Sequence, residues 1–140
     1  MTSFEQRTIS ADAAARCLTA ARTRARQLAI AVSIAVVDTS GTLKAFLRTD
    51  GARLVSVDTA QRKAYTAVAL EASTHDLQEW YRDQPALLGL IGGLPGLAAI
   101  GGGVPLRAGE VLVGAIGVSG GSAAQDVEVA ETAASALSGS

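Results

Sequence analysis

The sequence predicts a single α+β domain built on an antiparallel sheet. Two apolar segments joined by a four-residue turn occupy residues 30–48 and are typical of a β-hairpin. Helix-capping residues precede four other stretches, so the element order is helix, hairpin, two helices, strands and helix. Strands and helices do not alternate along the chain. This order favours an antiparallel sheet flanked by helices over a parallel βαβ arrangement.

The composition indicates one aliphatic domain spanning residues 1–140. The 140 residues are 49% hydrophobic but only 4% aromatic, and a chain of this length can bury its own core. With 12 Lys+Arg against 13 Asp+Glu, the net charge of −1 gives no electrostatic reason to expect nucleic acid or a membrane surface as partner. A single cysteine and an N-terminus without an apolar segment lead us to expect a cytoplasmic protein.

Three helices are predicted in the first 84 residues from their capping residues. Ser10 precedes the first, whose apolar positions recur at helical spacing and comprise Ala14, Cys17, Leu18, Ala21, Ala25 and Leu28. Its opposite side carries Arg16, Arg22 and Arg26 and is typical of a solvated face. Ser56 is expected to cap a second helix over 57–72. Ser73 and Asp76 have capping-box spacing for a short third helix that ends before Pro85.

The strands and the last helix follow from residue patterns of the same kind. The hairpin divides into a strand over 30–37, a turn over 38–41 and a strand over 42–48. Residues 86–106 are uncharged and rich in glycine, which favours a loop and a strand over a membrane-spanning helix. Residues 110–118 form the clearest later strand.

The stretch GVSGGSAAQD, residues 117–126, allows two interpretations, a tight turn or a binding site for an anion. Ser122 and Gln125 have capping-box spacing and predict a last helix over 123–137. The preceding glycines either turn a strand tightly into this helix or offer backbone N–H groups to a phosphate or carboxylate.

Three charged residues are candidates for a role in binding or catalysis, namely Arg48, Asp50 and Lys63. Arg48 lies at a strand end and either grips a carboxylate or pairs with Asp50 beside it. Lys63 falls within the apolar arc of the second helix. It either extends to the surface or enters a pocket, where it could serve as a base or a Schiff-base amine.

His75 is the only histidine in the chain, which excludes a multi-histidine metal site, and we predict no metal site. An imidazole near a helix start is compatible with axial ligation of heme. A surface histidine in a capping turn is the alternative.

Several separated motifs, in order, resemble the GlcG/HbpS family, also called DUF336. They are AVVDTSGTLKAFLRTDGA, SVDTAQRKAYTAVA, GGVPL and VGAIGVSGGSAAQD, and the resemblance runs from about residue 33 to 135. Thr49 stands where the family has methionine. The resemblance implies a profilin-like antiparallel sheet flanked by helices, usually in homo-oligomers, with members that bind heme.

The resemblance also implies that residues from three motifs meet at one edge of the sheet. The residues expected to bind a ligand there are Arg48, Gly103, Ser119 and Gly120, together with Lys63 and Asp50 if the protein is an enzyme. An arginine, a lysine and glycine amides suit a small anionic molecule, such as a carboxylate or a heme propionate.

Three functional hypotheses remain open at the level of sequence. The first is a binding protein for heme or a related anionic ligand, with His75 as candidate axial ligand and heme as a possible cofactor. The second is a cofactor-independent isomerase or lyase acting on a small carbonyl or hydroxy-acid metabolite. In it, Lys63 or Asp50 moves a proton and Arg48 holds a carboxylate, while the Ser119–Gly120 amides stabilise oxyanion charge. The third is a purely structural subunit of a homo-oligomer.

Overall fold

The computed structural model describes residues 1–138 and places five helices around a four-stranded sheet. The helices are α1 (Ala11–Gln27), α2 (Val55–Ala69), α3 (Thr74–Tyr81), α4 (Pro85–Gly93) and α5 (Ala123–Ser138). The strands are β1 (Ser33–Asp38), β2 (Leu43–Arg48), β3 (Gly103–Ala108) and β4 (Val111–Ser119). The predicted α+β class is therefore confirmed.

The sheet has the strand order β2-β1-β4-β3, and every neighbouring pair is antiparallel. β1 lies in the middle, and its first residue, Ser33, stands opposite both Arg48 of β2 and Ser119 of β4. The hairpin predicted from the sequence is β1–β2. This register puts residues from distant motifs in one row at one end of the sheet.

One face of the sheet packs against α1 and α5 through aliphatic side chains. Its fully buried members include Ile34, Val36, Leu106, Ile116, Val118 and Val129. Cys17 lies among them with no exposed surface, as its place in the apolar stripe of α1 predicts. Ser10 caps α1 as predicted, because its hydroxyl oxygen accepts a hydrogen bond from the Ala13 amide at 3.1 Å.

The other face packs against α2, and here the backbones approach each other closely. Gly103 and Gly117 stand opposite each other on β3 and β4. A methyl group on Gly117 would collide with the carbonyl oxygen of Ala60, and one on Gly103 would collide with that of Lys63. The side chains in this layer are small, chiefly alanines. Glycine is required at both positions because a helix backbone occupies the space of a side chain.

One predicted helix start, at Ser56, and one predicted capping box, at Ser73, need correction. α2 begins at Val55 with Leu54 as N-cap, so Ser56 is not the cap. Its hydroxyl is buried inside the first turn, 2.8 Å from the hydroxyl of Ser33. Ser73 is the N-cap of α3, but its side chain makes no capping hydrogen bond.

Residues 86–106 contain a helix that the sequence analysis did not predict. α4 begins at Pro85, a residue whose fixed φ and missing N–H suit the first helical position. The predicted loop and strand follow it, as an irregular segment and β3. Within residues 1–138, no helix is both long and apolar enough to cross a membrane.

The contact between α2 and the sheet yields a stability prediction. Gly117→Ala should lower the free energy of unfolding by about 1–3 kcal/mol, because the added methyl overpacks against the α2 backbone. Urea denaturation followed by circular dichroism measures this change. Gly89→Ala is the matched control, since a Cβ at this α4 position meets nothing within 4 Å and should not destabilise. Equal stability of the two variants would contradict the close approach.

Candidate functional site

Lys63 and Asp126 form a buried ion pair at the end of the sheet. The Lys63 Nζ lies 3.1 Å from Asp126 Oδ2, and the two side chains are 3% and 4% exposed. Lys63 belongs to α2 and Asp126 to α5, and Nζ also donates to the carbonyl oxygen of Val118 at 2.9 Å. The idea that Lys63 extends to the surface is therefore wrong. Buried charges of this kind persist only when each is paired and hydrogen-bonded.

Asp126 also organises the turn between β4 and α5. Its Oδ1 accepts the Gly121 amide at 2.9 Å. The Ser122 amide donates to Gln125 Oε1 at 2.9 Å and the Gln125 amide to Ser122 Oγ at 3.2 Å, which confirms the predicted capping box. The amides of Gly121 and Ser122 are thus occupied. At these two residues the glycine-rich stretch is a tight turn and not an anion cradle.

The ion pair lies in the floor of a depression of about 280 Å³, which we call the Lys63 depression. Its remaining lining comprises Arg53, Val55, Ser56, Thr59, Ile100, Ser119, Gly120, Gly121 and Ala123. Ser56 and Ser119 are buried, whereas the side chains of Val55 and Ile100 are more than half exposed. The depression therefore has a polar floor and an apolar rim.

Gly103 lies behind this depression and does not line it. Its amide donates to Thr74 Oγ1 at 2.8 Å. The α-carbon hydrogens face the carbonyl of Lys63, as described above. The position of Gly103 explains how α2 can bring Lys63 to the end of the sheet.

Arg48 and Asp50 lie in a second depression of about 260 Å³, which we call the arginine depression. The other charged residues that line it are Arg22 and Arg26 of α1. No ion pair forms between Arg48 and Asp50 in the described part of the chain. Arg48 and Ser119 do share a row at one end of the sheet, but the structure does not bring Arg48 and Lys63 into one pocket.

His75, on α3, lies near the Lys63 depression. A Cβ on Gly101, which follows Ile100 of the rim, would stand 3.5 Å from the His75 Cβ. The Nε2 atom is 3.3 Å from Glu131 Oε1 and 3.7 Å from Asp76 Oδ1. Nδ1 is buried and has no hydrogen-bond partner among the described residues. Any metal ligation by His75 therefore has to use Nε2 in competition with Glu131.

Two other side chains able to ligate heme iron, Cys17 and Tyr65, do not line the Lys63 depression. Cys17 is fully buried, and burial raises the pKa of its thiol, an effect that the positive charge of Arg16 only partly opposes. The Tyr65 ring is packed against the chain at Gly41 and Gly96. Among residues 1–138, no group of three or more His, Cys, Asp and Glu side chains is arranged to hold a metal ion.

Comparison with known proteins decides the family. The model of the family described as "Haem degrading protein HbpS-like" matches residues 9–135. This chain belongs to the HbpS-like family. The resemblance drawn from the motifs is thereby confirmed.

Relatives of this HbpS-like domain include an enzyme and two solved structures. It is 41% identical over 119 residues to the corrinoid adenosyltransferase PduO of Salmonella typhimurium, covering 84% of this chain but 35% of PduO, about a third of its length. Klebsiella pneumoniae ORFY is 32% identical with a TM-score of 0.92, and the alignment covers 99% of this chain and 96% of ORFY. A PduOC:heme complex is 39% identical with a TM-score of 0.84, covering 92% and 94%.

Sequence reasoning missed two groups of residues in this HbpS-like domain. Asp126 lies in one of the family motifs, but no role was predicted for it. Its place in the first turn of a helix indicates a group that can accept backbone hydrogen bonds. Arg22 and Arg26 were assigned to a solvated face, and no local signal reveals that they meet Arg48.

The buried ion pair predicts a coupled effect on stability. Lys63→Met leaves the Asp126 carboxylate buried without its counter-charge and should cost about 3–5 kcal/mol of unfolding free energy. Adding Asp126→Asn removes that charge and keeps an oxygen for the Gly121 amide, so the double variant should be more stable than Lys63→Met. Urea denaturation of Lys63→Met, Asp126→Asn and the double variant measures the difference. Exposed Lys44→Met is the control, and simple additivity of the two substitutions would contradict the coupling.

Proposed function

We propose that this HbpS-like domain binds a small molecule that has an apolar body and a carboxylate, with heme as the first candidate. The observation that carries the proposal is the buried Lys63–Asp126 pair in the floor of a depression with an exposed apolar rim. Binding sites typically combine an apolar surface with a few fixed polar groups, since the first supplies affinity and the second orientation.

The polar floor suits a carboxylate. A lysine ammonium has three N–H donors, and two of those on Lys63 are engaged by Val118 and Asp126. The third has no hydrogen-bond partner among the described residues and could serve a ligand oxygen, and Ser119 lines the same space. Because both charges are held by the protein, the floor offers fixed donors that need no rearrangement when a ligand arrives.

The rim suits an apolar body and adds positive charge. Val55 and Ile100 are 69% and 51% exposed, a large fraction for aliphatic side chains beside a polar cleft. Arg53 is exposed at the same rim and makes no ion pair among the described residues. It can therefore pair with a second carboxylate that remains near water.

Heme has both features, namely a flat apolar macrocycle and two carboxylates. The PduOC structure, a heme complex 39% identical to this chain, supports heme as a possible cofactor of this domain. Bound heme would supply an iron centre for ligand exchange and one-electron chemistry. We propose His75 Nε2 as the axial ligand, because His75 lies beside the rim and its other nitrogen is buried.

No catalytic function is proposed from this geometry. Lys63 is buried and held in an ion pair with Asp126, so we assign it the role of a fixed hydrogen-bond donor. Arg48 and Asp50, which the enzyme hypothesis needs around the same substrate, lie in the other depression.

We further propose that the protein forms homo-oligomers and acts in the cytoplasm. Apolar side chains on α3 and α4 support self-association, since Trp80 and Leu90 are 58% and 57% exposed. The low cysteine content agrees with a reducing compartment.

A hemin titration followed by the Soret band tests the binding proposal. The wild type should saturate at one hemin per chain with a shifted band, and His75→Ala should lose the spectrum of the ligated iron. Glu131→Gln should retain or strengthen ligation, because it frees Nε2 from a competing carboxylate. Absence of a saturable shift in the wild type would refute heme as the ligand.

The position of the ligand is tested by reversing a charge at the rim. Arg53→Glu should weaken hemin binding about tenfold, which corresponds to about 1.4 kcal/mol. Lys44→Glu makes the same charge change on exposed β2, away from the Lys63 depression, and should leave the affinity unchanged. Equal effects of the two variants would show that binding depends on overall charge and not on this site.

A further inference from the structure

The arginine depression concentrates positive charge, because three arginines and only one carboxylate line it. Arg22 and Arg26 are four residues apart on α1 and therefore project from the same side of the helix. Arg48, at the end of β2, joins them, and Asp50 is the one carboxylate in the lining. The chain as a whole carries a net charge of −1, so this concentration is local.

These three arginines are not neutralised by the protein. None of them forms an ion pair in the described part of the chain, whereas Arg24 on the same helix pairs with Glu128 at 2.8 Å. The negative end of the α1 dipole accounts for a cation in its last turn, which holds Arg26. It does not account for Arg48, which arrives from another element.

The neighbouring structure holds Arg48 in place. Its Nε donates to the carbonyl oxygen of Ala52 at 3.0 Å, which fixes the guanidinium plane and leaves the terminal NH₂ groups for a ligand. The end of β2 is also fixed to the residue that precedes β1. Thr49 Oγ1 accepts a hydrogen bond from the Val32 amide at 2.8 Å and donates one to the Val32 carbonyl at 3.0 Å. The fork is thus positioned before any ligand binds.

Apart from Thr49, the rest of the lining of the depression is apolar. Ala25 is buried, and Ile30 and Leu47 are half-buried. A volume of about 260 Å³ is enough for an anionic group together with a small organic body.

We propose that the arginine depression binds the phosphate group of a small organic molecule. Three guanidinium groups against one carboxylate are neutralised by a dianion, and a phosphate monoester at neutral pH carries close to that charge. Guanidinium forks match phosphate oxygens bidentately. This site is separate from the Lys63 depression and does not depend on the heme proposal.

Calorimetric titration with phenyl phosphate in low-salt buffer tests the proposal. The wild type should bind one equivalent saturably, and Arg22→Gln/Arg26→Gln should lose at least tenfold in affinity. Both side chains are exposed, so these substitutions should leave the fold and the thermal melt unchanged. Arg48→Lys should also weaken binding, because an ammonium cannot replace the bidentate fork. Arg107→Gln, exposed on β3 and outside both depressions, is the matched control and should bind as the wild type does.

Inorganic phosphate, titrated in parallel, distinguishes the two sources of the anion. Tighter binding of phenyl phosphate supports the organic ligand, since the apolar floor then contributes, and equal affinities support free phosphate in the same site. No saturable binding, or equal losses in Arg107→Gln and the double variant, overturns the proposal. Hemin titration of Arg22→Gln/Arg26→Gln should match the wild type, which keeps this test independent of the heme site.

Discussion

The direct contact between the α2 backbone and the sheet is the constraint on which the rest of this HbpS-like domain depends. Gly103 and Gly117 leave room for the helix where other residues would carry side chains. Because α2 packs so closely against the sheet, the Lys63 side chain reaches the Val118 carbonyl and the Asp126 carboxylate near the end of β4. The ion pair then joins the two helical layers, which otherwise lie on opposite faces. The Lys63 depression is the space that remains above this pair.

The two depressions show how one end of a sheet can serve different chemistries. Ser33, Arg48 and Ser119 share a single row of the sheet, yet the elements around them differ. At the floor of the Lys63 depression, the opposite charges are already paired and only Arg53 at the rim is unpaired, so hydrogen bonding and apolar contact contribute more to recognition. At the arginine depression, charges of one sign are left uncompensated, so recognition is mainly electrostatic and should be sensitive to salt.

Some features fixed by neighbouring residues could be predicted from the sequence, whereas features fixed by distant residues could not. The caps made by Ser10 and Ser122 depend on residues three positions away and were predicted correctly. Helix α4 was missed because its residues are apolar on all sides and lack the periodicity of a surface helix. The partner of Lys63 is 63 residues away in the chain, and the convergence of Arg22 with Arg48 depends on how α1 crosses β2. The family motifs marked the right segments but not the pairings between them.

The two faces of the sheet should also differ in how they tolerate sequence change during evolution. Between α1, α5 and the sheet, valine, isoleucine and leucine can replace one another while neighbours compensate in volume. Between α2 and the sheet, no side chain can shrink to make room, because main-chain atoms are already in contact at Gly117. Divergence in this domain is therefore expected to accumulate in the first layer and at the rims. The layer beneath α2 should change little, whatever ligand a descendant comes to bind.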